Sequence, residues 1–433
     1  MTQASRPGSI RSLLERYRSI IGQGAWVVAG QATTGLFTLG GTRLITQFVS
    51  PELYGAVNLI QNATVLLRTV FCSPILNAAL RYYPDAERGS YIPALRSLLS
   101  RFLGRGLIAM ELITVVAALV WCSLQGRSPL LTVPLTAFVA LDVIRTMEMT
   151  LFNAARRQRA AAILSAFETL LRPLLVVAGI LVLGGTTEVI MGAFAASIFL
   201  ALALLYSTMN RPDPARGDAP PRALSADMWR YAIPLIPVAV LSWTSSVSDR
   251  YIIEWASRDM ASIGVYSAGY GLISQPFLLM HGVVALTLRP VYFAAVSRGD
   301  QRRAQHTFAT WISISAVVCA AATVVIYWWR EPLVAVFLGP KYRGAVVFVP
   351  WIALGYFFYV IEQVMEQTLL AHNRTKLVLI AQSCGAVASV IVTVPLVMHF
   401  GALGAAYACP AYFLIQLLTV VAMLRRNPGR HAA

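Results

Sequence analysis

Twelve apolar stretches, each long enough to cross a bilayer, constrain the folding of this chain more than anything else in it. They run at about 24–47, 54–80, 102–124, 129–153, 160–183 and 187–208, and again at about 229–254, 264–293, 306–329, 345–371, 377–398 and 401–424. A helix needs roughly 20 apolar residues to span the hydrocarbon. In lipid every backbone N–H and C=O must find its partner inside the structure, so stretches of this length fold as helices. Composition agrees: 57% of the residues are hydrophobic and 12% charged, with a mean hydropathy of +0.65. That excludes a water-soluble globular domain. The fold expected is an all-α polytopic membrane protein of about twelve transmembrane helices.

The text of the first half recurs in the second. Arg43 closes one apolar run and leads through Ser50-Pro51-Glu52-Leu53-Tyr54-Gly55 to Arg81-Tyr82-Tyr83. Arg250 closes another and leads through Asp259-Met260-Ala261-Ser262-Ile263-Gly264 to Arg289-Pro290-Val291-Tyr292. Gly55 and Gly264 stand 209 positions apart. Further on, Asn153-Ala154-Ala155-Arg156-Arg157 is similar to Leu370-Ala371-His372-Asn373-Arg374 at a spacing of 217. An even number of spans per half gives both halves the same orientation. Two parallel six-helix repeats around a central cavity are therefore expected. The expected divisions are a tail with an amphipathic interfacial helix over 1–23, a first lobe over 24–208, a linker over 209–228, a second lobe over 229–424 and a tail over 425–433. Ile10, Leu13, Leu14, Tyr17, Ile20 and Ile21 share the apolar face of that interfacial helix. Arg211-Pro212-Asp213-Pro214 and Pro220-Pro221 mark the linker.

The net charge is +16, and all but Lys341 and Lys376 of the 35 basic residues are arginine. Most lie in the tails and in the loops after even-numbered spans. The odd-numbered loops carry only Arg127, Arg258, Arg330, Lys341 and Arg343. Basic residues concentrate on the cytoplasmic side of membrane proteins, so both termini are expected there, and nucleic acid is not expected as a partner. Met1–Gly8 is polar and no cleavage site follows it, so no signal peptide is expected. Cys72, Cys122, Cys319, Cys384 and Cys409 are scattered through apolar runs without metal-ligand spacing. Neither a metal nor a cofactor is expected. The chain has no P-loop, HExxH or GxSxG, so it is not expected to be an enzyme.

Placing an Arg or Asp at the centre of a membrane helix costs about 2.5–3.5 kcal/mol, so such residues face a partner or a wet cavity. Arg172 follows Glu168 by four residues and is expected to pair with it. Arg145, between Asp142 and Glu148, is expected to be neutralised along its own helix. Arg43, Arg68, Arg250, His281 and Arg289 lie on the first two spans of each half and are the candidate substrate contacts of a central path. Arg43 and Arg68 have no acid within one turn. Asp249 does not share a helix face with Arg250, whereas Glu254, four residues on, does. The alternative for these cations is helix-end snorkelling or structural pairing. Glu362 and Glu366 form an acidic i, i+4 stripe on span 10, and Asp142 and Glu148 stand at nearby positions of span 4. With Asp249 they are the candidates for ion coupling, the alternative being pairing with an arginine of another helix.

Several of these elements together resemble the polysaccharide transporter (Wzx-like) oligosaccharide flippases of the multidrug/oligosaccharidyl-lipid/polysaccharide (MOP) superfamily. They are Ser50-Pro51-Glu52-Leu53-Tyr54-Gly55, Asp249-Arg250-Tyr251-Ile252-Ile253, Ile263-Gly264-Val265-Tyr266-Ser267-Ala268-Gly269-Tyr270, Phe337-Leu338-Gly339-Pro340-Lys341-Tyr342 and Gly401-Ala402-Leu403-Gly404-Ala405-Ala406-Tyr407. The resemblance implies two six-helix lobes around a V-shaped cavity that opens to each side in turn. It implies a monomer of the bacterial plasma (inner) membrane that moves undecaprenyl-pyrophosphate-linked sugar units to the outer leaflet for surface polysaccharide. The implied partners are that lipid-linked oligosaccharide, membrane lipid, H+ or Na+ as coupling ion, and the polymerase and glycosyltransferases of the pathway. Arg43, Arg68, Arg250 and Arg289 would contact pyrophosphate or acidic sugar. The chemistry agrees, because guanidinium groups match phosphate oxygens in a fork geometry.

Three rivals remain at this level. An ion-coupled multidrug antiporter of the same superfamily would favour an acidic cavity for cationic drugs, and spans 1, 2, 7 and 8 are dominated by arginine. A membrane-embedded polysaccharide polymerase or ligase needs a substantial outer loop, and Arg330–Gly344 is too short for a domain. A purely structural membrane protein has no use for arginines at depth.

Overall fold

The computed structural model describes residues 30–124, 129–208, 224–372 and 374–426. The interfacial helix expected near the N-terminus lies outside them. Among the described residues there is no strand. The helices are α1 (30–48), α2 (Pro51–Phe71), α3 (Ser73–Arg88), α4 (Ile92–Leu124), α5 (Thr132–Ala154), α6 (Gln158–Leu183), α7 (Thr187–Thr208) and α8 (Leu224–Ala232). They continue with α9 (Leu235–Ser257), α10 (Met260–Ser297), α11 (Gln301–Trp328), α12 (Arg330–Phe337), α13 (Val349–Ala371), α14 (Thr375–Phe400) and α15 (Ala402–Arg426).

These helices make twelve passes, six per lobe, as a polytopic all-α membrane protein. Nine helical segments are long and apolar enough to span on their own, and two bent pairs bring the total to eleven. Helix α1, which is not counted among these by its own hydropathy, occupies the place of the first pass. The second pass is α2 plus α3, bent by 50° around Cys72. Pro74 sits in the first turn of α3 and has no N–H to continue the ladder of α2. The tenth is α13 with a short 3-10 turn before it, Pro340–Val347, at 58°. The seventh pass is interrupted at Ile233–Pro234, between α8 and α9. Pro276 and Pro290, by contrast, leave α10 unbroken.

Each lobe has its own apolar core. Met110, Val139, Val176, Met191 and Ile198 are fully buried in the first, and Tyr266, Val349, Ile352 and Cys409 in the second. Helix α8 begins inside the segment expected to be a linker. Its Leu224, Met228 and Ala232, one turn apart, are buried against Ile75, Leu95 and Leu99 of α3 and α4. Trp229 of α8 also stacks edge-on against Phe102 at 5.5 Å.

The lobes touch where α2 crosses α10, and the crossing uses the two repeat-related glycines. A Cβ on Gly264 would sit 1.9 Å from the Pro51 carbonyl oxygen, and one on Gly55 2.3 Å from that of Met260. Neither position admits a side chain, because the obstacle is backbone. Small residues at membrane helix crossings allow this approach and the dispersion contact it brings. Both helices start just before the crossing with matching caps. The Ser50 hydroxyl accepts from the Leu53 N–H, and the Asp259 carboxylate accepts from the Ala261 and Ser262 N–H groups. The crossing therefore lies near one membrane face, referred to below as the Ser50 face.

Candidate functional site

Five cross-lobe hydrogen bonds close the Ser50 face. The segment Leu338-Gly339-Pro340-Lys341-Tyr342, after α12, supplies three of them against the α1–α2 turn. Arg43 donates to the Leu338 carbonyl. The Gly339 N–H donates to the Thr46 hydroxyl at 2.8 Å, and that hydroxyl donates in turn to the Thr42 carbonyl. Tyr342 donates to the Val49 carbonyl at 3.2 Å, with its ring edge-on to Tyr54. Gly339 is required here, since a Cβ would lie 2.1 Å from the Thr46 carbonyl oxygen. From α9, Tyr251 donates to the Leu59 carbonyl at 2.8 Å and Trp243 to that of Asn62 at 3.1 Å. Four of the five acceptors are main-chain carbonyls.

Inside the first lobe, five charges form one chain across α2, α5 and α6. Arg68 pairs with Asp142 at 3.1 Å and donates to the Thr146 hydroxyl at 3.0 Å. Asp142 also holds Arg145 at 2.8 Å, Arg145 reaches Glu168 at 3.3 Å, and Glu168 holds Arg172. The sequence expectation that Arg172 pairs with Glu168 is met. Arg145 is neutralised along its own helix by Asp142, as expected, and also by Glu168 of α6, whereas Glu148 faces away. Its carboxylate accepts from Arg96 of α4 and from the Tyr206 hydroxyl at 2.8 Å. At about 3.6 residues per turn, Asp142 and Glu148 point roughly 120° apart around α5, one to each side of Arg145. The guanidinium turns to the Asp142 side, where Glu168 also waits.

In the second lobe Arg250 is 6% exposed and caged. Its guanidinium donates to Asp249 at 2.9 Å and to the Ser246 carbonyl at 3.0 Å, and it stacks over the Tyr270 ring at 4.2 Å. Glu254, which shares its helix face, takes no part. Tyr266 explains the difference: its hydroxyl donates to Asp249 at 2.5 Å and turns that carboxylate toward the Arg250 head. His281 and Arg289 lie farther along α10. His281 is partly buried with its Nδ1 unbonded, and Arg289 is exposed, over the Phe293 ring at 5.5 Å. Arg289 has no ion pair among the described residues.

Glu362 and Glu366 of α13 are buried and meet amides instead of cations. Gln363 donates to Glu362 at 3.0 Å, and Gln382 of α14 donates to Glu366 at 2.7 Å. Neither glutamate has an ion pair among the described residues. No group of three His, Cys, Asp or Glu side chains arranged to hold a metal occurs among the described residues.

The structure thus joins Arg68 with Asp142, and Arg250 with Asp249. It keeps Arg43 at the clasp and places Glu148, His281, Arg289 and the Glu362–Glu366 pair apart. Sequence reasoning missed the clasp residues Thr46, Tyr342, Tyr251 and Trp243. The available signal was the Phe337–Tyr342 segment, which carried the family resemblance and had no assigned job.

A family model described as polysaccharide biosynthesis protein matches residues 21–296. A second, described as MatE, matches residues 234–394. No curated protein matches the chain. Among solved structures, the lipid II flippase MurJ in an inward closed conformation superposes with a TM-score of 0.72 at 14% identity, covering 92% of this chain and 87% of that one. An inward-facing multidrug resistance MATE family transporter of the MOP superfamily gives 0.73 at 13% identity, covering 94% and 100%. An outward-facing one gives 0.67 at 13% identity, covering 95% and 96%.

Proposed function

The chain belongs to the polysaccharide biosynthesis protein family of the MOP superfamily, and we propose that it is a flippase for lipid-linked oligosaccharide rather than an enzyme. On this proposal it carries undecaprenyl-pyrophosphate-linked sugar units from the inner to the outer leaflet of a bacterial plasma membrane, with both termini cytoplasmic. The observation that carries it is the family match over residues 21–296, on a fold whose two lobes close over each other at one face. A sugar-pyrophosphate head group needs a hydrated cationic route, while its prenyl tail stays in lipid. Alternating access supplies that route, with the Ser50 face as the outer gate.

Within this proposal the candidate cations divide by availability. Arg289 and His281 are free of acids and are the first contacts for the pyrophosphate. Arg68 lends one guanidinium face beyond Asp142. Arg43 and Arg250 stand at the closed face and become contacts as the gate opens. Glu362 and Glu366, which lack cations, are the sites proposed for H+ or Na+ coupling. Asp142, Glu148 and Asp249 already hold arginines, so an ion binding there must displace one. An inside-negative potential favours outward movement of an anionic head group by about 2.3 kcal/mol per charge per 100 mV.

The test is complementation of a flippase-deficient strain. Arg289→Ala is expected to lower surface polysaccharide at least tenfold while protein level holds, with lipid-linked units accumulating on the inner leaflet. Normal export by an Arg43→Ala, Arg289→Ala double variant would sink the proposal for these residues. Drug efflux without any effect on polysaccharide would favour the multidrug antiporter.

A further inference from the structure

The first lobe's charge chain does not balance. Arg68, Arg145 and Arg172 share only Asp142 and Glu168, so one positive charge is left over. Each end of the chain is an arginine that shares its acid with Arg145, and the Arg172 end is the one beside a cavity. Arg68 and Arg145 each hold Asp142, and Arg145 and Arg172 must divide Glu168. The charged groups acting on Arg172 are Glu168, Asp142 and the like-charged Arg145. Its Nε is buried and has no hydrogen-bond partner.

A cavity lies against that guanidinium. It has a volume of about 200 Å³ between α1, α2, α6 and α7, and Thr38, Thr42, Asn58, Gln61, Thr169 and Arg172 supply its polar lining. The threonines are spent as donors, because Thr38, Thr42 and Thr169 each donate to a carbonyl one turn back. Asn58 accepts from Asn62 through Oδ1 at 2.9 Å, which leaves its own amide protons free. The Arg172 guanidinium, the Tyr54 hydroxyl and the amides of Asn58 and Gln61 therefore line the cavity as donors, and neither amide donates to a protein acceptor. At about 30 Å³ per water the space takes a small ion with several waters.

We propose that this cavity holds a small monovalent anion, chloride in ordinary buffers, as the missing counter-charge of the Arg68–Asp142–Arg145–Glu168–Arg172 chain. The site lies within one lobe, not between the two, and does not depend on what the transporter carries. The same chemistry would accept the carboxylate of an acidic sugar, and the test distinguishes the two sources.

Full-length protein in detergent is melted in sodium chloride and in sodium gluconate at equal ionic strength, with sodium glucuronate as a third arm. A ligand bound only to the folded state raises the melting temperature in proportion to RT ln(1 + [L]/Kd). Chloride is expected to raise it saturably by a few degrees over gluconate, with glucuronate behaving as gluconate does. Arg172→Gln removes the surplus charge and should abolish the difference between salts. Gln61→Glu puts a carboxylate into the cavity and should melt in gluconate where the unaltered protein melts in chloride. Equal melting of the unaltered protein in chloride and gluconate overturns the proposal. So does a chloride response that survives in both variants, or a response to glucuronate alone.

Discussion

The two lobes repeat a backbone plan and treat buried charge in opposite ways. At the 217-residue spacing, Arg145 of the first lobe corresponds to Glu362 of the second, Glu168 to Gly385 and Arg172 to Ser389. The first lobe therefore links α5 to α6 by ion pairs. The second links the matching helices α13 and α14 through a glutamine–glutamate bond, Gln382 to Glu366. Its one buried arginine, Arg250, is confined by Asp249 and two tyrosine rings. Duplication preserved what positions the lobes against each other, namely the paired caps and the crossing glycines. The interiors were free to diverge, because an interior charge need satisfy only its own lobe. One lobe ends with a surplus cation and the other with cation-free carboxylates.

The largest effect expected from this asymmetry is at Asp142. Asp142→Ala leaves Arg68 unpaired and Arg145 with Glu168 alone, and breaking a buried pair costs about 3–5 kcal/mol. Glu362→Gln, in the second lobe, removes a carboxylate that has no counter-charge, and it should change stability by less than about 1 kcal/mol. Denaturant unfolding of the two variants side by side checks this. Equal losses would mean that the lobes do not differ as described.

The gate comes next. Gly264→Leu forces α10 off the Pro51 carbonyl and should separate the faces. A Val49→Cys, Tyr342→Cys pair is expected to be bridged across the clasp by a short bifunctional maleimide in the parent, and at least tenfold more slowly when combined with Gly264→Leu. An unchanged rate would show that the crossing does not control closure. Tyr266→Phe deletes the hydroxyl that orients Asp249. A hydrogen bond to a charged group contributes about 1.5–3 kcal/mol, and that loss should appear as a lower melting temperature. Thr46→Val removes the acceptor of the buried Gly339 N–H and should cost about 1–3 kcal/mol by the same measurement.

The smallest effect expected is at the surface. Hydrogen bonds from the Ser262 hydroxyl and from the Ser262 and Ala261 N–H groups hold the Asp259 carboxyl below the ordinary carboxylate range. A depressed carboxyl adds stability above its unfolded pKa of about 3.9, and that stability is lost as pH falls through the lower folded value. Asp259→Ala should cost about 0.5–2 kcal/mol at neutral pH, as lost caps do. The gap between variant and parent should close below about pH 4. A gap that widens in acid would contradict the sign.

Much of the fold was legible from the chain. The bilayer imposes its demand locally, so each apolar run announces a span without reference to the others. The repeat of Gly55 at Gly264 and of Arg43 at Arg250 announced two lobes. Local pairing was legible where the spacing was four residues, as for Glu168 and Arg172. It was misleading for Arg250, where Glu254 had the right spacing and Asp249 won. Tyr266, on the next helix, oriented the nearer carboxylate, and no helical periodicity carries that information.

The twelve passes and their parallel halves were written in the order of residues, because hydrophobic thickness acts on each segment alone. Only the tertiary structure decided what the buried groups bind. Arg68 finds Asp142 on another helix, Glu148 finds Arg96, and Arg43, Tyr251, Tyr342 and Trp243 find main-chain carbonyls in the opposite lobe. A carbonyl is the same at every residue and leaves no mark in a sequence. Which carbonyl lies within reach of a donor is set by where two helices cross, and that was settled by the close approach at Gly55 and Gly264.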